Sequence, residues 1–386
     1  MRRLLFAGIL FVTFSCSQKS SENEKARKLE VSYSLDTVFV DAGDQFIHVN
    51  WSLTSSDLSK DEKYLYNFQT GAKEPGLEII NLEKLQLERI IPFSLDGPNS
   101  IRHPFISKVY AMEDGSIFLS DNYDLYHFDL EGTKLGNLNY DNHDFSGEKL
   151  PEELRVDLNE SLSEDGKTLI ALYADKKLES APLGMVIFDL ENKTFQYRPL
   201  EFIPKMEKFR TSLYLPEYPD YPMGAILDSY LLQVKNDTLI LSTRSKNELK
   251  FYNWKTDSLT SKTYESQFTS QEAKINFPKR VESQEEYERL AKETKKYVKY
   301  GPLMFDKKNS LYWRLSSEMD KMVGDSIVYK TVLTAFNKEF DQVSEVLLPQ
   351  DYQIAYKTFV RDGMLYSFLN VDDEVAFVRI KPSISE

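Results

Sequence analysis

Six times along the chain a short polar turn is followed by a run of alternating or continuous apolar residues. The copies read "SKDEKYLYNF" at 59–68, "MEDGSIFLS" at 112–120, "SEDGKTLIALY" at 163–173, "VKNDTLILST" at 234–243, "DKKNSLYWRL" at 306–315 and "VRDGMLYSFL" at 360–369. Asp-Gly and Asn-Asp pairs supply the backbone that tight hairpins need. A second phrase follows most copies. An apolar strand ends in Asp or Asn, turns on polar residues and resumes, with anchors at Asn81, Asp129, Asp189, Asn253 and Asn337. Each unit therefore reads as a hairpin, a second turn and an outer strand, about four strands per roughly 50 to 70 residues, the form of a propeller blade. The apolar period is near two, which excludes stacked helix pairs.

The pattern predicts an all-β, six-bladed β-propeller. Its sixth unit lacks the second phrase, because the chain ends at "KPSISE" soon after "MLYSFLNVDDEVAFVRI". Meanwhile "LEVSYSLDTVFV" at 29–40 has no unit of its own. This N-terminal strand is expected to complete the last blade and so to remove two open sheet edges. Two units carry insertions. The stretch 201–224 holds four prolines and is expected as a loop folded over one mouth of the ring. The stretch 281–302 predicts one inserted helix near 283–299. Ser283 and Glu286 form a capping box, Tyr287, Leu290, Ala291, Thr294, Tyr297 and Val298 share a face, and Gly301-Pro302 stops the run. Its lysines could meet a membrane or an acidic partner, though a solvated face explains them as well.

The first residues are processing signals. "MRR" precedes the apolar run "LLFAGILFVTF", too short to span a bilayer of roughly 30 Å, and "SC" follows. A small residue before a cysteine resembles a lipobox, although Thr13 and Phe14 depart from its usual form. Residues 1–15 then read as a signal peptide, Cys16 as the lipidated residue, 16–28 as a flexible tether and 29–386 as a single propeller domain.

Composition narrows the function. The chain has 386 residues and a formal net charge of −13, which argues against nucleic acid as a partner. Cys16 is the single cysteine, and the four histidines lie at no metal-ligand spacing. No cofactor or metal is expected, and no catalytic motif was found. The ligand-binding candidates are Asn99 and His103 in the rigid "GPNSIRHPF" loop, Arg210 in the Pro-rich insertion, and Arg244 and Arg314 inside apolar strands. A charge within such a strand must face channel water or lock neighbouring blades through an acid. Arginines at the channel would favour a carboxylate or sulfate.

"VSYSLDTVFVDAGDQF", "WSLTSSDLSKDEKYLYNF", "LEIINLEKLQLERIIPF" and "DGPNSI" resemble a family of Bacteroidetes lipoproteins defined by a domain of unknown function with a propeller-like fold. The resemblance implies a cell-envelope location and transfers no catalytic residue. The expected protein is an outer-membrane lipoprotein facing the periplasm, anchored by its N-terminal lipid. It is expected to be a monomer that binds a small molecule, glycan or protein. The alternatives are a carbohydrate-active or metal-dependent lyase or hydrolase with its site at the channel mouth, and a purely structural partner docking through the 281–300 helix.

Overall fold

The computed structural model describes residues 29–385 apart from 178, 351 and 373; Cys16 and the segments read as signal and tether lie outside the described residues. Six sheets share one strand order, each antiparallel and consecutive from inner to outer strand. The first holds Ser56–Leu58, Tyr64–Phe68, Gly76–Asn81 and Gln86–Pro92. The second holds Lys108–Ala111, Ile117–Ser120, Asp124–Phe128 and Lys134–Asn139. The third runs Leu154–Leu162, Thr168–Asp175, Gly184–Asp189 and Thr194–Pro199, with Ser146–Gly147 added at its outer edge. The fourth holds Tyr230–Lys235, Thr238–Thr243, Glu248–Asn253 and Ser258–Thr263. In the fifth, Lys299–Tyr300 and Met304–Asp306 both pair with Leu311–Val323, and Ser326–Phe336 and Gln342–Leu347 follow. The sixth is Thr358–Arg361, Met364–Val371, Glu374–Ser385 and finally Glu30–Phe39.

Successive residues of a strand point to opposite faces, and here both faces are buried against neighbouring sheets. Leu65 packs with Tyr366 and Phe377 of the sixth sheet, whereas Tyr66 packs with residues of the second. Leu239 and Leu241 join Leu172 and Met185 of the third sheet, whereas Ile240 joins Tyr312 and Phe336 of the fifth. Apolar cores likewise join the second sheet to the third and the fifth to the sixth. The interfaces close a cycle, the arrangement of a β-propeller.

The N-terminal strand closes it as expected. Glu30–Phe39 pairs antiparallel with Glu374–Ser385 in unbroken register from Glu30↔Ser385 to Phe39↔Ala376. Across the pairing Arg379 donates to both oxygens of Asp36, at 2.8 and 2.7 Å, and Lys381 donates to the same carboxylate. Hydrogen bonds from Arg379, with those from Lys381, hold the Asp36 carboxyl down at about 2.

Because the strands are antiparallel, the first and third turns of each sheet lie at one end of the ring, called here the turn face. The second turns and the links between sheets lie at the other, the connection face. All five expected anchors act at the turn face as their chemistry requires. Asn81 accepts from the N–H groups of Glu83 and Lys84, Asp129 from those of Glu131 and Thr133, Asp189 from Asn192, Asn253 from Lys255 and Thr256, and Asn337 from Asp341.

Both insertions belong to links between sheets and so gather on the connection face. Here two expectations need correction. The Pro-rich stretch is not all loop: it contains a short helix, Phe202–Met206, and the strands Arg210–Leu213 and Gly224–Leu227. Pro204 lies in the first turn of that helix, where its missing N–H costs no intrahelical bond. With Arg280–Val281 the two strands form a seventh, three-stranded sheet. The other inserted helix is shorter than expected, Gln284–Glu293, followed by a 3-10 turn at Thr294–Lys296. Ser283 caps it through the Glu286 N–H, and Tyr287, Leu290 and Ala291 pack on the seventh sheet. Tyr297 and Val298 leave that stripe and pack with Ala273 instead. The hydroxyl of Thr294 bonds the Ala291 carbonyl at 2.7 Å, where the helix gives way to the 3-10 turn.

Arg314 is the most unusual core residue. It stands in the second strand of the fifth sheet and is 2% exposed. Its guanidinium carbon lies 4.8 Å from the Phe336 ring centre, 4.9 Å from that of Tyr300 and 5.5 Å from that of Tyr264. It donates to the side-chain oxygen of Asn247, and its Nε has no partner. Burial pulls it down to about 10. It joins the fourth sheet to the fifth, but through aromatic faces and an amide where an acid was expected.

Two sets of outcomes follow. Deleting 29–39 exposes two edges, and size-exclusion chromatography should show aggregates in place of the single peak of the intact protein. Asp36→Asn should cost about 1 kcal/mol at pH 7, a figure already reduced for the partial exposure of the cluster. The folded carboxyl titrates below its ordinary 3.8, so its contribution is complete above that pH and is lost as pH falls towards 2. Denaturant titrations across that window should show mutant and wild type converging. Arg314→Ala should lose about 3–5 kcal/mol by urea denaturation, through the cavity and the stranded Asn247 oxygen, and Arg314→Met should lose clearly less.

Candidate functional site

The connection face collects side chains that the packed sheets have no use for. Among the described residues, seven of the nine exposed aromatic side chains lie in its loops: Phe46, Trp51, Phe105, Tyr123, Tyr218, Tyr221 and Tyr356. The other two, Phe39 and Phe305, lie in strands. Trp51 is 65% exposed and sits in a run of left-handed residues, with φ of 61° at Trp51, 51° at Ser52 and 58° at Leu53. Each left-handed non-glycine residue costs roughly 1–2 kcal/mol. Leu53 buries its side chain completely and so offsets some of that cost; Trp51 does not.

The five candidates fall in different surroundings. His103 and Asn99 lie in the link from the first sheet to the second. The His103 Nδ1 accepts from the Phe105 N–H at 3.3 Å, and its Nε2 faces the buried Asp121 carboxylate at 3.4 Å. Both ring nitrogens therefore have partners in this structure. Asp121 also accepts from the N–H groups of Tyr123 and Asp124. The neighbouring Asp124, likewise buried, meets Arg102 Nε at 3.0 Å and the Asn139 amide at 2.9 Å. The Tyr126 hydroxyl lies between the two carboxylates, at 3.2 and 3.3 Å, and burial first of all pushes its titration upward. Asn99 is exposed, and its side-chain oxygen takes the Lys134 N–H at 3.1 Å.

Arg210, at the start of its strand in the seventh sheet, is gripped by Glu207 through two 2.8 Å bonds. Arg314 is buried between the fourth and fifth sheets, bonded to Asn247 in the turn that also carries Arg244. Arg244 follows the strand Thr238–Thr243 in the turn to the next, and so stands on the connection face, not inside the strand as expected. Its side chain is exposed, yet burial lowers its titration. The structure thus brings His103 to a buried carboxylate cluster and leaves Arg244 open, and it does not join the five into one constellation.

Sequence reasoning missed several residues here. The short run "DNYD" gives no sign that Asp121 and Asp124 are buried together beside His103, although Asp121 does hold its turn. Lys108 and Lys357 start the inner strands of the second and sixth sheets. With Thr54, Ser56, Asp57 and Tyr110 they line a concavity of about 230 Å³. Lys357 donates to the Ser56 carbonyl, and burial lowers its titration. Lys108 reaches across to Glu160 of the third sheet, at 2.6 Å to its carbonyl and 3.3 Å to its carboxylate. Lone lysines at strand starts leave no mark in a sequence. Among the described residues no three His, Cys, Asp or Glu side chains are grouped as a metal ion would require, and no helix is long and apolar enough to cross a membrane.

Comparison with known proteins gives a family and a fold. A crystal structure of a DUF4221 family member from Bacteroides vulgatus superposes with a TM-score of 0.66 at 16% identity, covering 94% of this chain and all of that one. Weaker likenesses include an oligogalacturonate lyase in complex with manganese, at TM-score 0.46 and 7% identity over 92% of this chain and 98% of that one. The Pan2 WD40 domain of Neurospora crassa reaches 0.41 at 8% identity, over 90% and 95%. No curated protein sequence matches the chain. The family described as "Domain of unknown function (DUF4221)" matches residues 28–347, and the chain belongs to it.

Proposed function

We propose that this protein is a lipid-anchored envelope protein that binds its ligand on the connection face and carries out no chemistry on it. In this reading residues 1–15 are removed, Cys16 carries lipid, 16–28 form the tether and 29–386 form one domain. It is a monomer on the periplasmic side of the outer membrane of a Bacteroidetes-type cell. The observation that carries the binding role is the one-sided placement of exposed aromatic side chains. Exposed Trp and Tyr are enriched where proteins meet partners, and here they gather on one face. The left-handed turn at Trp51 supports it, since backbone strain not offset by burial collects at functional sites.

The tether supports it as well. Glu30 pairs with Ser385 at the turn-face end of the last sheet. Residues 16–28 reach at most about 45 Å when fully extended. In this reading the lipid approaches the ring from the turn face, and the aromatic rim looks away from the bilayer into water. His103, beside Phe105 and Tyr123, belongs to that rim, and so does Arg244, whereas Asn99 reaches the Lys134 N–H next to the Asp129 turn.

Two experiments test this. Cys16→Ala should move the protein from the membrane to the soluble fraction, and equal fractionation of both forms would contradict the anchor. A thermal-shift screen of metabolites, glycans and peptides should yield a ligand whose shift disappears in Trp51→Ala/Tyr356→Ala. The control Leu135→Ala/Leu259→Ala, on outer strands, should keep it. A ligand lost by the control and kept by the rim variant would place binding elsewhere.

A further inference from the structure

The connection face also holds two cations without acids. Arg244 and Lys299 come from different sheets but are tied together by the backbone, since the Tyr300 N–H bonds the Arg244 carbonyl at 2.8 Å. Lys299 is fixed by its pairing with Ser317 in the fifth sheet. Both side chains are exposed, and among the described residues neither has a carboxylate within ion-pair distance. The acids of the surrounding loops are already engaged. Glu248 holds Lys246 and Lys250, Glu272 holds Lys208, and Glu293 holds Lys296. Glu318, beside the strand partner of Lys299, takes Ser270 and Lys330. Asp228 lies buried beneath the turn, where it takes the Ser245 hydroxyl and the Lys208 N–H.

The two cations feel each other. Burial first, and then the charge of Arg244 and that of Lys295, lower the titration of Lys299. In a chain of net charge −13 an acid could have been placed beside such a pair, as it is beside the neighbouring lysines. The fold instead keeps two like charges together, at an electrostatic cost.

We infer that Arg244 and Lys299 form an oxyanion subsite, which takes the carboxylate or sulfate group of the ligand bound at the connection face. The guanidinium offers two parallel N–H donors to such a group, and the ammonium adds a third direction. The screening length is about 8 Å in physiological salt, so the net negative charge of distant parts does not cancel the local attraction. This inference rests on the binding role proposed above and specifies the chemistry of its ligand.

The test uses sulfate and citrate as probes, titrated against sodium chloride at equal ionic strength, with melting temperature as the readout. The wild type should show a saturable rise with both oxyanions and none with chloride. Arg244→Gln and Lys299→Gln should each weaken the apparent affinity at least about tenfold. Lys255→Gln, on the turn face, should behave as wild type. Lys299, followed by NMR of its side chain, should titrate higher in Arg244→Gln and in the presence of sulfate. Equal rises in all variants, or a rise that chloride reproduces, would overturn the subsite. Loss of a screened ligand in Trp51→Ala/Tyr356→Ala together with indifference to oxyanions would refute the subsite and leave the binding role standing.

Discussion

Everything in this molecule depends on one pairing, that of Glu30–Phe39 with Glu374–Ser385. A ring of sheets is stable only if it has no ends. Without its partner the last sheet would offer a bare strand, and the interface between the sixth sheet and the first would carry no constraint from the chain. The pairing joins residues more than three hundred positions apart, and its Asp36–Arg379–Lys381 cluster fixes the register at mid-strand. Closing so long a loop costs entropy that grows slowly with its length. A strand paired along its whole length, with apolar residues such as Val31 and Tyr33 packed against the fifth sheet, offsets that cost.

Closure also divides the labour between two faces. At the turn face, brief turns are held by their own Asp and Asn side chains, so little length is left over for a site. At the connection face the links vary widely in length and carry the seventh sheet, both helices, the strained Trp51 turn and most exposed aromatic rings. Strand direction puts every link between sheets on one side, and here those links hold the spare chain. The site proposed for this protein follows from that geometry, and Glu30, the start of the closing strand, lies on the opposite side.

Local chemistry made the fold legible in the sequence. The anchors Asn81, Asp129, Asp189, Asn253 and Asn337 bond backbone groups two to four residues away, so each could be read in isolation. The orphan strand at 29–40 was legible because the sixth unit lacked its last strand. What escaped depended on tertiary contacts. The helix at 284 ends at Glu293 because Val298 finds a different core, which no periodicity reveals. Arg314 looked like a channel residue, since a charge in an apolar strand suggests water nearby. Its cage is built from Tyr264, Tyr300 and Phe336, which come from three separate segments. Lys299 and Arg244 meet only because a link between sheets returns past a turn.

Hydrogen exchange of the intact protein tests the closure most directly. If the N-terminal strand is part of the ring, the amides of 30–39 that bond to 376–385 open only together with their partners. Both segments should then share one slow rate, and one dependence on denaturant, with the core strand Met364–Val371. Fast, independent exchange of 30–39 beside fully protected 364–385 would show a strand laid on a ring that stands without it, and would contradict the account.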